Sequence, residues 1–234
     1  MAGALPPICI LAGGKGTRLG AIVDETPKPL VEVAGAPFLR HQLALLASHG
    51  AERIVLSVGY LGELIEAGIG DGADLGLDIT YVYDSPRLDG TAGAIRNCLP
   101  QLGDRFMVLY GDTYLRIDYR AVDAAHLASG QPALMTVLRN EGAWDTSNVI
   151  YDDGIVVAYD KRAPTPEMHW IDYGLGVLTA EAMAVRPDAS DLADLYTDLA
   201  QDGRLAGYLA DQRFYEIGTP DALAETDRFL RALT

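Results

Sequence analysis

The chain has 234 residues, 49% of them hydrophobic, which suits one large α/β domain with a sizeable core. With 18 basic against 33 acidic residues it carries a net charge of −15 at pH 7, and it lacks the Lys/Arg clusters that hold nucleic acid, so no nucleic-acid partner is expected. No run of about 18 apolar residues and no charged stretch leading into an apolar one is present, so neither a membrane span nor a secretory signal is expected; Cys9 and Cys98, each inside an apolar segment, suit free thiols in a reducing cytoplasm.

Residues 6–12 are predicted as the first strand, and residues 13–20 as a loop. Residues 37–48 predict a helix: Leu39, Leu43, Leu46 and Ala47 fall at i, i+4, i+7 and i+8, and Gly50 lies just past its end. Then come a strand (53–58), a short helix (61–67), a strand (77–83), a helix (91–99) stopped by Pro100, a strand (105–110) ending at Gly111-Asp112, and a helix (119–129) closed by Gly130. This alternation predicts a mostly parallel sheet covered on both faces, with ligands bound beyond the carboxyl ends of its strands. The 13–20 loop and Asp112 both lie at such ends.

The second half changes character. Residues 133–139, 148–152, 155–160 and 171–178 are strand-like, with Asp152-Asp153-Gly154 as a hairpin turn. Leu192, Leu195, Tyr196 and Leu199 mark an amphipathic helix closed by Gly203, followed by short strands at 205–209 and 213–217. Thr219-Pro220-Asp221 opens a last helix with Thr as N-cap, Pro at the first helical position and an acid in the first turn. No repeat, low-complexity segment or linker divides residues 1–234, so a single domain is expected.

The chemistry concentrates in Leu11-Ala12-Gly13-Gly14-Lys15-Gly16-Thr17-Arg18. Glycines let backbone N–H groups crowd around an anion, and Lys15 and Arg18 neutralise it. Thr26-Pro27-Lys28-Pro29-Leu30 adds a cation held between prolines, and the region is expected to bind a nucleoside triphosphate. It is not a Walker A loop, because Gly16 follows Lys15. It also misses G-x-G-x-x-G, because Leu19 takes the third glycine place, which disfavours a dinucleotide-dependent oxidoreductase. His41, His49, His126 and His169 have no metal-ligand spacing, and no Ser/His/Asp or Cys/His pattern suggests covalent catalysis.

The same stretch with Pro27-Lys28-Pro29-Leu30, then Leu88-Asp89-Gly90-Thr91-Ala92-Gly93-Ala94, Gly111-Asp112, Asp160-Lys161, Ile171-Asp172-Tyr173-Gly174 and Glu216-Ile217-Gly218-Thr219-Pro220, resembles the signature of the sugar-1-phosphate nucleotidyltransferases. Among them it looks most like the heptose-1-phosphate guanylyltransferases. The resemblance implies the nucleotide-diphospho-sugar transferase type of fold: a Rossmann-like, mostly parallel sheet flanked by helices (residues 1–130, binding nucleotide), with a smaller mixed-strand part (131–234, binding sugar phosphate). The implied reaction is NTP + sugar 1-phosphate → NDP-sugar + pyrophosphate with Mg²⁺, and GTP with a heptose or hexose 1-phosphate as the nearest substrates.

It also implies roles. Leu11, Ala12, Gly13, Gly14, Lys15, Gly16, Thr17, Gly90, Thr91 and Gly93 would bind the nucleotide. Arg18 would hold the β,γ-phosphates, Lys28 would sit near the α-phosphate and Lys161 would steer the attacking phosphate. Asn148, Asp160, Asp172 and Gly174 would meet the sugar phosphate. Asp112 would ligate Mg²⁺ with Glu216, where relatives usually carry Asp. Asp172 stands where relatives often carry Asn, and the common Tyr-Gly pair is absent around Asn148, which leaves the sugar open. Trp144, Asp145, Ser147 and Asn148 form either a wall of the acceptor pocket or an ordinary loop. A phosphomonoester with a second pKa near about 6 is its own nucleophile, so no general base is needed. A cytidylyl- or uridylyltransferase for another phosphorylated alcohol and a non-catalytic nucleotide sensor remain alternatives; a glycosyltransferase is disfavoured because Gly111-Asp112-Thr113-Tyr114 has no second acid. Apolar positions of the second half serve a homodimer or the core equally.

Overall fold

The computed structural model describes residues 4–23, 25–84 and 90–233. Leu88 and Asp89 of the signature lie outside the described residues. In chain order the strands are β1 (Ile8–Leu11), β2 (Glu32–Val33), β3 (Ala36–Pro37), β4 (Arg53–Val58), β5 (Asp78–Tyr83), β6 (Arg105–Tyr110), β7 (Thr113–Tyr114), β8 (Ala133–Arg139), β9 (Val149–Asp152), β10 (Ile155–Tyr159), β11 (Trp170–Thr179), β12 (Leu205–Ala210) and β13 (Tyr215–Glu216). The helices are α1 (Phe38–Ser48), α2 (Gly62–Ile69), α3 (Gly90–Leu102), α4 (Tyr119–Ser129), α5 (Ala180–Val185), α6 (Leu192–Gln201) and α7 (Pro220–Arg231).

Nine strands form one sheet in the order β5-β4-β1-β6-β11-β8-β12-β10-β9. β5, β4, β1 and β6 run parallel, as expected for the first half. The sheet as a whole is mixed, however: β11 enters antiparallel between β6 and β8, and β12 lies parallel to β8. Strands β8 to β12 therefore extend the first sheet, while β13 pairs with β7 in a separate two-stranded ribbon.

β1 is apolar throughout and its neighbours β4 and β6 mostly so, because both faces are covered. Ile8 and Ile10 of β1, with Ile54, Leu56 and Val58 of β4, pack under α1, α2 and α4. Cys9 and Val55, pointing the other way, pack under α3, α5 and α6. Leu39, Leu43 and Leu46 of α1 are wholly buried, and truncating one to Ala would cost about 2–5 kcal/mol. Cys9 and Cys98 are buried free thiols, as expected. A smaller cluster of Val33, Phe38, Tyr114, Ile217 and Leu230 seats α7 beside the β7–β13 pair.

Several boundaries depart from expectation. Pro100 does not stop α3, which runs on to Leu102; so near the end, proline forfeits one intrahelical bond, and Gly103 closes the helix by donating to Leu99 O at 3.2 Å. The expected 13–20 loop becomes 3-10 turns from Thr17, kinked at Gly20, because Leu19 and Val23 bury together against Val31. The 213–217 strand shrinks to Tyr215–Glu216, paired with Thr113–Tyr114. The small β2–β3 hairpin and α5, capped by Thr179, have patterns too short to read. Among the described residues no helix is long and apolar enough to cross a membrane.

Candidate active site

A cavity of about 410 Å³ opens at the carboxyl ends of β1, β4, β5 and β6, within the usual size of a small-molecule site. Leu11, Ala12, Gly13, Gly14, Gly16, Thr17 and Arg18 form one wall, and Lys28 and Pro29 the next. Gly90, Thr91, Ala94 and Asn97 of α3 face them, and Tyr110, Gly111, Asp112 and Gly218 complete the lining with Ser57 and Asp84.

The loop is shaped by close approach. A Cβ on Gly13 would lie 2.5 Å from Asp84 Oδ2 and 3.2 Å from Gly59 N, so a larger residue there would have to displace the Asp84 carboxylate. Asp84 in turn accepts the Ser57 hydroxyl at 3.1 Å, which ties the ends of β4 and β5 beneath the loop. Gly90 has φ +66°, and a Cβ on it would lie 2.2 Å from Ser190 O. The adjoining Thr91 hydroxyl is committed to protein: it donates to Asp191 Oδ1 at 3.0 Å and accepts Leu192 N–H at 2.8 Å. The start of α3 is thus stitched to the start of α6.

Lys28 Nζ, almost fully buried, lies 2.5 Å from Asp112 Oδ2. The Asp112 carbonyl accepts Ile217 N–H at 3.0 Å, and the adjoining Thr113 pairs with Glu216. Glu216 Oε2 accepts Gly218 N–H at 2.8 Å, and a Cβ on Gly218 would lie 2.3 Å from that oxygen and 3.3 Å from Arg18 Nη2. Arg18, Lys28 and Asp112 thus line one cavity with Gly218, and Glu216, which does not itself line it, holds the Gly218 N–H, 198 positions from Arg18 in the sequence. Two carboxylates on paired strands offer hard oxygen donors of the kind Mg²⁺ takes, alongside waters and phosphate oxygens. Among the described residues no group of three or more His, Cys, Asp or Glu is placed to hold a metal.

Beyond Tyr110 lies a second cluster. Asn148 Oδ1 accepts Asp172 N–H at 3.1 Å, and the Asn148 carbonyl accepts Asp160 N–H at 3.0 Å. Asp172 Oδ1 accepts Gly174 N–H at 2.9 Å. Burial pushes the Asp172 carboxyl above its ordinary pKa, while that N–H and the charge of Lys161 pull it down. Burial, then the charge of Asp172, pushes the Tyr110 phenol well up, so Tyr110 touches the cavity on one side and feels this cluster on the other. Asp160 caps its own turn, accepting Arg162 and Ala163 N–H at 2.8 Å each, and those two bonds hold its carboxyl below the usual range.

Of the residues expected to meet nucleotide, Lys15 and Gly93 do not line the cavity: Lys15 is exposed, and Gly93 is buried within α3. Lys161, Asn148, Asp160, Asp172 and Gly174 lie outside it, in or beside the second cluster. Ser57, Asp84, Asn97 and Tyr110, which also line the cavity, are not singled out by sequence reasoning. Gly90, Ala94 and Asn97 follow helical spacing from a residue already suspected, and Ser57, Asp84 and Tyr110 sit at or just past the ends of parallel strands, so both signals were present.

The profile of the nucleotidyl transferase family matches residues 8–147. The chain is 31% identical over 219 residues to a mannose-1-phosphate guanylyltransferase of Mycobacterium tuberculosis, covering 91% of this chain and 61% of that protein. It is 26% identical over 226 residues to a D-glycero-alpha-D-manno-heptose 1-phosphate guanylyltransferase of Aneurinibacillus thermoaerophilus, covering 95% and 97%. The crystal structure of a putative glucose-1-phosphate thymidylyltransferase from Bacillus anthracis shares the fold with a TM-score of 0.86 at 20% identity, covering 99% of this chain and 97% of that one. The chain thus spans about six-tenths of the length of the mycobacterial relative.

Proposed function

The chain belongs to the nucleotidyl transferase family, and we propose that it joins a nucleoside triphosphate to a sugar 1-phosphate, releasing pyrophosphate and an NDP-sugar. The observation that carries this reading is the meeting of Arg18, Lys28 and Asp112 around a glycine-walled cavity, with Lys161 beside a separate polar cluster one tyrosine away. The first arrangement suits a triphosphate and the second suits another phosphorylated substrate.

Residues 1–130 hold the nucleotide and residues 131–234 the sugar phosphate. Arg18 and the loop N–H groups bind the β- and γ-phosphates, and Lys28 faces the α-phosphate. Lys161 directs an oxygen of the sugar phosphate at the α-phosphorus. That oxygen forms the new P–O bond as the bond to the β-phosphate bridging oxygen breaks, and pyrophosphate leaves with the electron pair. The dianionic nucleophile needs no base, so catalysis is alignment of two anions plus stabilisation of charge. Asp112 and Glu216 would hold Mg²⁺, which when bound neutralises phosphate charge and polarises the α-phosphate. GTP with a heptose or hexose 1-phosphate, the kind of pair named for two guanylyltransferase relatives, is the pair proposed, with UTP the alternative that the uridylyltransferase relatives raise.

The test is pyrophosphate release over a panel of GTP, UTP, CTP, ATP and dTTP against mannose, glucose and heptose 1-phosphates. Turnover with one base and one sugar phosphate supports the reading; nucleotide binding with no turnover across the panel overturns it in favour of a nucleotide sensor or a nucleotidyltransferase for another phosphorylated alcohol.

A further inference from the structure

The loop between β8 and β9 is exposed from Glu141 to Thr146, yet it is firmly tied. Asn140, buried at its root, donates from Nδ2 to Asp145 O at 2.5 Å and to Ser147 Oγ at 3.0 Å, and accepts Trp144 N–H on Oδ1 at 3.1 Å. From the other side Arg213 lies over the Trp144 ring, 3.9 Å from its centroid, and 4.5 Å from that of Tyr215. Arg213 forks onto Glu225 of α7 through bonds of 2.7 and 2.9 Å, and its Nε donates to Phe214 O. Tyr215 stacks on Phe229 with centroids 3.7 Å apart. A clasp therefore joins the β8–β9 loop to the strand that carries Glu216.

We propose that this clasp makes Trp144 the platform on which the sugar ring of the acceptor stacks, a role that rests on the nucleotidyl-transfer reading. Three observations carry it. First, Trp144 stays 46% exposed as a residue although Arg213 stacks on its ring, so part of its surface is left open rather than buried. Second, the loop leads directly into Ser147 and Asn148, and Asn148 holds the backbone of Asp172 in the second polar cluster. Third, the Arg213 fork is spent on Glu225, so this cation is not offered to a phosphate; what the wall offers is an aromatic face beside hydroxyl and amide groups. A pyranose has the matching surfaces, an apolar C–H face and an edge of hydroxyls. Arg213 is a positioning residue: its planar fork and stacked face fix the indole before substrate arrives, which lowers the ordering cost of binding.

The test uses the full chain, GTP and mannose 1-phosphate, or the sugar phosphate of highest turnover in the panel. Trp144→Ala raises KM for the sugar phosphate about five- to tenfold while kcat and KM for the nucleotide hold, because the contact is made alike in ground and transition states. Trp144→Phe keeps a ring and stays within about threefold. Arg213→Met raises the same KM, and the double variant Trp144→Ala/Arg213→Met is no worse than Trp144→Ala alone. Trp144 and Trp170 are the two tryptophans, and Trp170 lies beside the Asn148–Asp172 cluster, so sugar phosphate changes the emission of the wild type more than that of Trp144→Phe, the difference reporting Trp144. An unchanged sugar-phosphate KM in Trp144→Ala, or a loss shared equally by the nucleotide, overturns the platform while leaving the proposed function standing. A wild type that turns over nothing in the panel overturns both.

Discussion

Lys28 Nζ and Asp112 Oδ2 stand 2.5 Å apart across 84 positions of sequence, and the contact is mostly shielded from water. Each charge is placed by its own device: prolines on both sides of Lys28, and the end of β6 for Asp112. Both tests should remove transition-state stabilisation more than fold stability: without Lys28, Asp112 keeps 30% exposure and water can take over its hydration, and the Asp112→Asn variant still offers the buried Lys28 ammonium an amide oxygen. Lys28→Met and Asp112→Asn are each expected to lower kcat by about 10²–10³-fold, the scale of losing one preorganised charge contact. Pyrophosphate release within tenfold of wild type in either variant would remove that residue from the mechanism.

Glycines of the site divide into those the fold needs and those the ligand needs. Gly90→Ala forces a Cβ to within 2.2 Å of Ser190 O at a φ of +66°, where both the carbonyl and the backbone must yield. A loss of about 2 kcal/mol or more in urea unfolding is expected. Gly14→Ala meets nothing within 4 Å, so stability should stay within about 0.5 kcal/mol while nucleotide affinity falls, since Gly14 lines the cavity. Equal stability of the two variants in urea would refute this division.

Which of these relationships a reader of the bare sequence can reach depends on distance along the chain. The apolar periodicity of α1 and α6 and the mostly apolar β4 and β6 are local, and their elements fall where expected. The glycine loop and Lys28 are local too. What is not local is the order of strands: nothing near residue 171 says that β11 inserts antiparallel beside β6, or that residues 113–114 pair with 215–216. The approach of Arg18 to Gly218, the capture of the Thr91 hydroxyl by Asp191, and the Arg213–Trp144 stack all depend on that order. Thr91 looks like a nucleotide ligand in sequence because its neighbours are small; the structure gives its hydroxyl a helix-stitching task.

That stitch predicts a stability effect separable from catalysis. Thr91→Val keeps shape but leaves Leu192 N–H without its acceptor and Asp191 without a donor, although Asp191 still caps Ala193 at 3.0 Å. About 1–3 kcal/mol of unfolding free energy should be lost. If the hydroxyl instead binds nucleotide, KM for the nucleotide rises with stability intact, and the assignment of Thr91 reverts to ligand contact.

His126, buried on α4, sets an acid limit on stability. Burial first, and the guanidinium of Arg105 second, hold its pKa below the ordinary 6.5, with the carbonyls of Pro132 and Gln131 pulling the other way. Arg105 is itself paired with Asp123, so the carboxylate nearest this cation is already engaged. In the unfolded chain the imidazole takes up a proton near pH 6.5, whereas in the folded chain it does so only at lower pH. Between those two values the unfolded state binds more protons, so stability is full above pH 6.5 and falls as pH drops through the folded pKa. Other groups titrate in the same range, and the difference between wild type and His126→Leu isolates this one. Urea midpoints from pH 8 to pH 5 should fall more steeply for wild type than for His126→Leu, with the gap opening below pH 6.5. Parallel curves would mean that His126 is protonated as readily in the folded protein as in the unfolded chain.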